Sequence, residues 1–451
     1  MSLPPGPDGL VTMAQIRDDP LGFLHRMHEL YGPVTAHSTE RDRVIMISAP
    51  ELVGEMFLAG EERFTKQGTP DDLMLTPVLG EGLLTTHGEQ WRRQRELTAP
   101  MFERHRVERF AALMVQEAQA LADRWLSRPH GGPVRVDHDL SGLTLTVIAG
   151  ALLSGDLSGI GHGFGEAVDA VNSFMSHGDP LDTPDTDTVL GDEAAYPRAQ
   201  RLLDGIVAAL VRARVALGHD EDGSPDLLAA LLDARDPVTG RPLAGREIHA
   251  QVLTMVMAGH ETTAKALTWA LYLLDRNPEV KRAAQAEVEQ ALRGRAPTVA
   301  DLPQLPLCRA VLQEAMRLYP PIWVISRRAA SDQELGGWAI PAGSLVCVSP
   351  WILHRDPQRW AAPELFDPTR FLDHESLRRS PYSYFPFGTG PRQCLGRRFA
   401  MLEAHLVLAT LLTRVDLRLV PGEVVEPQAL VTLRPANGLL MTVGARQAPS
   451  S

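Results

Sequence analysis

The chain has 451 residues, 44% of them apolar, and a formal net charge of -12 at pH 7. That is enough apolar material for a large core, and a length prior of roughly 150 residues per domain suggests about three domains. The acidic balance argues against nucleic acid, which needs a basic face, and three cysteines, Cys308, Cys347 and Cys394, are too few for a disulfide scaffold and fit a reducing compartment.

From the N-terminus, Met1 to Pro7 has neither a basic n-region nor an apolar h-region, so no secretory signal is expected. No run of about 18 apolar residues occurs; the richest stretch, Leu143 to Leu153, is broken by threonines and a glycine. The chain therefore reads as soluble and cytoplasmic, without a membrane anchor. Apolar residues at three- and four-residue spacing predict helices over Glu51–Leu58, His105–Leu126, Leu140–Leu153, Gly163–Met175, Tyr196–Leu217, Asp226–Ala234, Gly245–Asp275, Pro278–Leu292, Leu307–Leu318 and Cys394–Thr413. Strands are expected at Arg43–Ile47, Val134–Asp137, Glu334–Ile340 and Ser344–Val348, with a terminal hairpin around Asn437-Gly438. Lys66 to Leu84 and His177 to Asp192 are rich in Gly, Pro, Thr and Asp and read as long loops. No linker, charge block or repeat divides the chain, which favours one domain over residues 1–451.

Four segments carry chemistry. In Phe387-Gly388-Thr389-Gly390-Pro391-Arg392-Gln393-Cys394-Leu395-Gly396 a cysteine closes a glycine-rich loop and a helix-like run follows. Gly388 and Gly390 permit a tight loop, and a helix N-terminus favours a thiolate. Gly396 leaves room for a flat cofactor, and Arg392 can neutralise a cofactor carboxylate. A dinucleotide loop fails, because Gln393 stands where a third glycine is needed. Within Gln251 to Ala264 an apolar helix is interrupted by Gly259, Glu261, Thr262 and Thr263. A threonine bonding the carbonyl of Ala258 favours a local bulge there. A zinc-protease reading of His260-Glu261 fails, since Ala264 replaces the second histidine, and His260 reads as a packed side chain. Glu314 and Arg317 share a helix face at i and i+3, and Trp91 and Arg95 lie one turn apart.

Phe387, Gly390, Arg392, Cys394 and Gly396 match the fixed positions of the haem-binding signature of the cytochrome P-450 family, and the chain resembles that family over nearly its whole length. The resemblance implies the family's triangular, mainly α-helical fold with a small β-rich side, enclosing haem b. It makes Cys394 the axial ligand of the haem iron, with Phe387, Gly388 and Ala258 beside the cofactor. Trp91 and Arg95 match the family's propionate-binding helix. Arg327 is a further propionate candidate, with Arg328 as its alternative. Ala258-Gly259-His260-Glu261-Thr262-Thr263 resembles the oxygen-helix signature, which gives Glu261 and Thr262 the delivery of protons to bound oxygen. Glu314, Arg317 and Arg370 match a buried structural triad.

The implied activity is a monooxygenase, inserting one atom of O2 into a lipophilic molecule (a terpenoid, polyketide or fatty acid) by hydroxylation or epoxidation, in secondary metabolism. No flavin or iron–sulfur motif follows the cysteine, so NAD(P)H electrons are expected from a ferredoxin or flavodoxin with its reductase. Arg92, Arg93, Arg397 and Arg398 are expected to form a basic docking patch. The protein is expected to be a monomer. A peroxide-driven haem-thiolate enzyme or an isomerase is the alternative, although such relatives tend to lack the acid–alcohol pair; a haem-based sensor would carry a signalling module. By resemblance the substrate pocket is lined by Val78, Leu79, Phe174, Met175, Met257, Trp323, Val324 and Val431, and the two long loops gate access to it.

Overall fold

A computed structural model describes residues 1–128, 132–153, 195–217, 226–236, 239–372 and 379–446. Helices dominate among them. The N-terminal part carries α1 (Met13–Asp18), α2 (Pro20–Tyr31), α3 (Pro50–Leu58), α4 (Pro70–Leu79), α5 (Gly88–Thr98), α6 (Arg104–Glu108), α7 (Ala111–Leu126) and α8 (Val136–Leu153). There follow α9 (Ala195–Leu217), α10 (Leu227–Asp233), α11 (Gly245–Arg276), α12 (Pro278–Leu292), α13 (Pro306–Leu318), α14 (Pro350–Leu353) and α15 (Arg397–Arg414). The expected helix over 163–175, the expected loop over 177–192, and with them Phe174 and Met175, lie outside the described residues.

Several expected boundaries are corrected by identifiable chemistry. The stretch from Lys66 to Leu84 is not a plain loop, because it holds α4. Thr69 caps that helix by accepting from Asp72 N, Pro70 opens it, and Asp71 and Asp72 sit in its first turn. The helix expected over 105–126 breaks at Arg109 and Phe110, where the Phe110 ring packs 6.0 Å from that of Phe399. The strand expected over 134–137 ends at Arg135, since Asp137 and Asp139 become the acidic first turn of α8.

Strand pairing gives a five-stranded sheet in the order β1 (Val34–Ser38), β2 (Arg43–Ile47), β8 (Leu345–Val348), β5 (Ile325–Ala329) and β3 (Phe64–Thr65). Only β2 and β8 run parallel. The strand expected over 334–340 is a hairpin of β6 (Gln333–Leu335) and β7 (Trp338–Ile340), folded at Gly336 and Gly337 with φ of 59° and 83°. The terminal turn at Asn437-Gly438 forms, but it is not a hairpin. β11 (Leu433–Pro435) pairs with β10 (Pro427–Ala429), whereas β12 (Leu440–Ala445) pairs with β9 (Val415–Leu419) and β4 (Val134–Arg135). The segment before β11 reaches α11, where Thr432 Oγ1 donates to Glu261 Oε1.

The main core gathers α7, α8, α11, α13 and α15 around side chains such as Trp125, Leu143, Val252, Leu267, Val311 and Leu408. Each contributes about 1.5–3 kcal/mol by leaving water. α11 runs through this core against α8, where a Cβ on Gly259 would stand 3.1 Å from Ile148. Among the described residues no helix is long and apolar enough to cross a membrane.

Candidate active site

The cysteine loop is shaped by two glycines. Gly388 and Gly390 have φ of 67° and 70°, and a Cβ on Gly390 would stand 2.7 Å from the Phe57 carbonyl oxygen. Cys394 N donates to Phe387 O at 2.9 Å and Gln393 N to Gly390 O at 3.0 Å, which closes the loop. α15 starts at Arg397 with Gly396 as its cap, so Cys394 precedes the helix rather than opening it. The amides of Gly396 and Arg397 nevertheless bond the sulfur. Burial pushes the thiol up, opposed by those amides and by the charges of Arg95 and Arg397. Yet Cys394 is exposed. The two facts agree if its surface faces a space inside the protein, and a bound cation there would supply what deprotonation needs. A Cβ on Gly396 would stand 4.0 Å from the sulfur, beside that space.

A cavity of about 580 Å³ is lined by Phe57, Trp91, Arg95, Arg327, Thr389 and Arg392, among others. Two of these three guanidiniums converge on one indole, while Arg327 lies over the Phe57 ring at 5.3 Å. Arg392 lies over the Trp91 ring at 4.3 Å and Arg95 at 5.7 Å. Arg95 Nη2 donates to Gln393 O at 3.0 Å, tying α5 to the cysteine loop. Arg392 donates to Thr86 O at 2.6 Å and pairs with Glu61, which also accepts from the Gly88 amide at the start of α5. Arg327 is only 8% exposed, and burial pushes it down to about 10, against the pull of Asp71. Its hydrogen bond goes to the adjacent Ser326 carbonyl at 2.7 Å, and no carboxylate among the described residues lies within ion-pair distance of it. A buried guanidinium at a cavity wall with no carboxylate in ion-pair contact fits an anionic group of a ligand. Arg328 is engaged by Asp42 at 2.7 Å and by Gly68 O, which favours Arg327 of the two.

α11 is buried continuously from Ala250 through Met257, and then changes character. Ala258 is exposed in mid-helix, and Gly259, Glu261 and Thr262 are half-buried. The helix runs unbroken; instead of a bulge, Thr262 Oγ1 donates to Ala258 O at 2.9 Å and Thr263 Oγ1 to Gly259 O at 3.2 Å. Glu261 Oε1 accepts from Thr432 Oγ1 at 3.0 Å. His260 is buried, its Nδ1 2.9 Å from Val256 O.

Behind the site, Glu314 and Arg317 are fully buried and doubly bonded at 2.6 and 2.7 Å. Arg370 Nε lies 3.3 Å from Glu314, and the Asp367 amide donates to it at 3.0 Å. His354 accepts from Phe385 N at 3.1 Å, next to the cysteine loop. Burial, with the charges of Arg317 and Arg355, pushes His354 down to about 3, so it is neutral.

The remaining expected residues separate. Val78, Leu79 and Met257 are buried in the main core, and Val431 is packed against it. Val324 lines a small pocket with Leu24, Met46 and Cys347, and Trp323 packs against the same N-terminal cluster while its indole Nε1 donates to Leu430 O at 2.7 Å. Arg93 leaves the basic patch: it pairs with Glu247 and with Asp236 at 3.5 Å. Arg92, Arg397 and Arg398 are exposed. Three contributors escaped sequence reasoning. Glu61 holds Arg392, Thr432 holds Glu261, and buried Lys66 bridges Leu84 O at 2.6 Å and Asp71 at 3.1 Å. None carries a local signal beyond its charge or hydroxyl.

A family model described as Cytochrome P450 matches residues 4–442. Cyclooctatin synthase of Streptomyces melanosporofaciens is 38% identical over 390 residues, covering 85% of this chain and 83% of the relative. Cyclooctat-9-en-7-ol 5-monooxygenase of the same organism is 33% identical over 91% of this chain and 88% of its own. Pentalenene oxygenase of Streptomyces avermitilis is 34% identical over 88% and 87%. The crystal structure of the cytochrome P450DA heme domain superposes with a TM-score of 0.88 at 28% identity, covering 99% of this chain and 98% of that one.

Proposed function

This chain belongs to the cytochrome P450 family and is a monooxygenase, and from that premise we propose that it oxidises a lipophilic terpenoid, as one domain built around haem b, with electrons from a separate ferredoxin or flavodoxin system fed by NAD(P)H. The observation that carries the reading is that Cys394, exposed at the end of its glycine-rich loop, sits two residues from Arg392, which with Arg95 and Arg327 walls a cavity. The terpenoid class rests on the relatives, whose names give cyclooctat-9-en-7-ol and pentalenene as what those proteins oxidise.

These residues fit an iron porphyrin. Cys394 would be its thiolate ligand and Arg95, Arg327 and Arg392 would bind its propionates; Trp91 supports two of these three guanidiniums by cation–π contact. When bound, the group supplies activation of O2 and transfer of one oxygen atom to a C–H or C=C bond. The protein's own work is to hold and move protons. Thr262 Oγ keeps its proton on Ala258 O and can redirect it, while Glu261, fixed at Oε1, leaves Oε2 to take up and return a proton. The amides of Gly396 and Arg397 with Arg95 offset part of what burial costs the Cys394 thiolate, and a bound iron would supply the rest. Glu314, Arg317 and Arg370 are structural. Arg92, Arg397 and Arg398 form the docking patch for an acidic electron donor.

The test is reconstitution with a ferredoxin or flavodoxin and its reductase, with polycyclic terpenoids as substrates and Thr262→Ala in parallel. Product carrying one atom of labelled O2, and roughly 10²-fold slower product formation in the variant while NAD(P)H is still consumed, support the reading. Coupling equal to wild type in Thr262→Ala removes the proton assignment.

A further inference from the structure

We propose that Thr432 is the positioning residue for Glu261, presented to it by a clamped turn between β10 and β11; this rests on the acid–alcohol reading above. Thr432 is 4% exposed, and its hydroxyl donates to Glu261 Oε1 at 3.0 Å across 171 residues of sequence. The turn that carries it has little freedom. Trp323 Nε1 donates to Leu430 O at 2.7 Å, Leu430 N to Thr432 O at 3.3 Å, and Leu433 N to Pro321 O at 2.9 Å. Trp269 Nε1 donates to Leu433 O at 3.1 Å, and its own ring is locked by stacking on Tyr319 at 3.9 Å and 6°.

Glu261 and Trp269 stand eight residues apart on α11, and their side chains converge on the consecutive residues Thr432 and Leu433. The helix thus grips the turn at two points, which fixes where the hydroxyl sits along it. A lone glutamate has three rotatable bonds, and one charge-assisted bond to a rigid donor removes most of that freedom. Oε1 is spent on Thr432. The other oxygen, Oε2, is then held at a defined place and is the one that exchanges protons. Threonine matters here for its single donor, because one hydroxyl holds Oε1 and leaves Oε2 unengaged by it.

The experiment compares Thr432→Val, which keeps the shape and deletes the donor, with Thr432→Ser, which keeps the donor, and with Glu261→Gln. The first readout is the infrared carboxylate band of Glu261 in the resting holoenzyme, assigned by its loss in Glu261→Gln. The second is product formed per NAD(P)H. A shifted band and about tenfold lower coupling in Thr432→Val, both restored in Thr432→Ser, are expected. An unshifted band in Thr432→Val, or Thr432→Ser behaving like Thr432→Val, overturns the inference. If Thr432→Val keeps wild-type coupling while Glu261→Gln loses it, the inference fails and the acid–alcohol reading stands. Wild-type coupling in Glu261→Gln overturns both.

Discussion

Replacing Glu314 with alanine removes the centre of a buried charge cluster. Its carboxylate holds Arg317 through two bonds of 2.6 and 2.7 Å, accepts from Asp367 N at 3.0 Å and lies 3.3 Å from Arg370. Arg317 is 0% exposed, so water cannot replace the lost partner. Arg317 retains the carbonyls of His354, Pro363 and Leu365 at 2.9, 2.6 and 3.1 Å, which softens the loss without neutralising the charge. Stranding a buried charge costs about 3–5 kcal/mol. With an unfolding entropy of roughly 2.1 cal/mol/K per residue, the whole chain gives about 0.9 kcal/mol per degree, so Tm falls by about 3–5 °C. Thermal unfolding of the holoprotein, followed by circular dichroism, measures this. Glu314→Gln, which keeps the shape and one acceptor, is expected to fall between alanine and wild type. A fall under about 1 °C in Glu314→Ala, close to 1 kcal/mol, would refute the claim that the pair is buried and unreplaced.

Arg327→Ala should release haem to an acceptor globin roughly 10–100-fold faster than wild type, the worth of one charge-assisted bond, whereas Arg328→Ala, whose own bonds go to Asp42 and Gly68, should not speed release comparably; equal effects would remove the distinction. Gly390→Ala forces a Cβ to within 2.7 Å of the Phe57 carbonyl at a φ of 70°, so it should lower both stability, by at least about 1–2 kcal/mol of backbone strain, and haem content measured after purification. His405, with its Nε2 3.0 Å from Leu305 O, is pushed by burial down to about 4. Its ordinary value in the unfolded chain is about 6.5, so between those values the unfolded state binds the extra proton. Its contribution to stability is therefore present above about pH 6.5 and is lost as pH falls toward 4, by about 1.4 kcal/mol per pH unit. Denaturant unfolding of wild type and His405→Gln across that window should differ in slope by this amount, and parallel curves would contradict it.

What was legible in the sequence is what lies close together in it. The loop from Phe387 to Gly396, the Glu261–Thr262 pair and the Glu314–Arg317 pair each fit within a few helical turns, so residue type and spacing sufficed. The long helix α11 was legible from periodicity to within one residue, ending at Arg276 rather than Asp275. α4 was misread because its capping residues, Thr69, Pro70, Asp71 and Asp72, have the same composition as a loop. Asn437-Gly438 marks a real turn, with φ of 75° at Gly438, but a turn does not say that its flanks pair with each other. Cys394 fell before its helix because Gly396 caps that helix and Arg397 opens it. Arg93 looked like part of a basic surface until Asp236 and Glu247, distant in sequence, were placed against it. Thr432 and Glu61 act across long separations, where a lone hydroxyl or carboxyl gives no pattern to read.

The central claim is that Cys394, facing a space inside the protein, is the thiolate ligand of a haem. The carbon monoxide difference spectrum of the reduced protein, recorded for wild type and for Cys394→His at matched haem content, tests it most directly. The account predicts the red-shifted Soret band of a thiolate-ligated haem in wild type and its absence in Cys394→His. A wild-type spectrum without that band, or a band that survives the substitution, would contradict it.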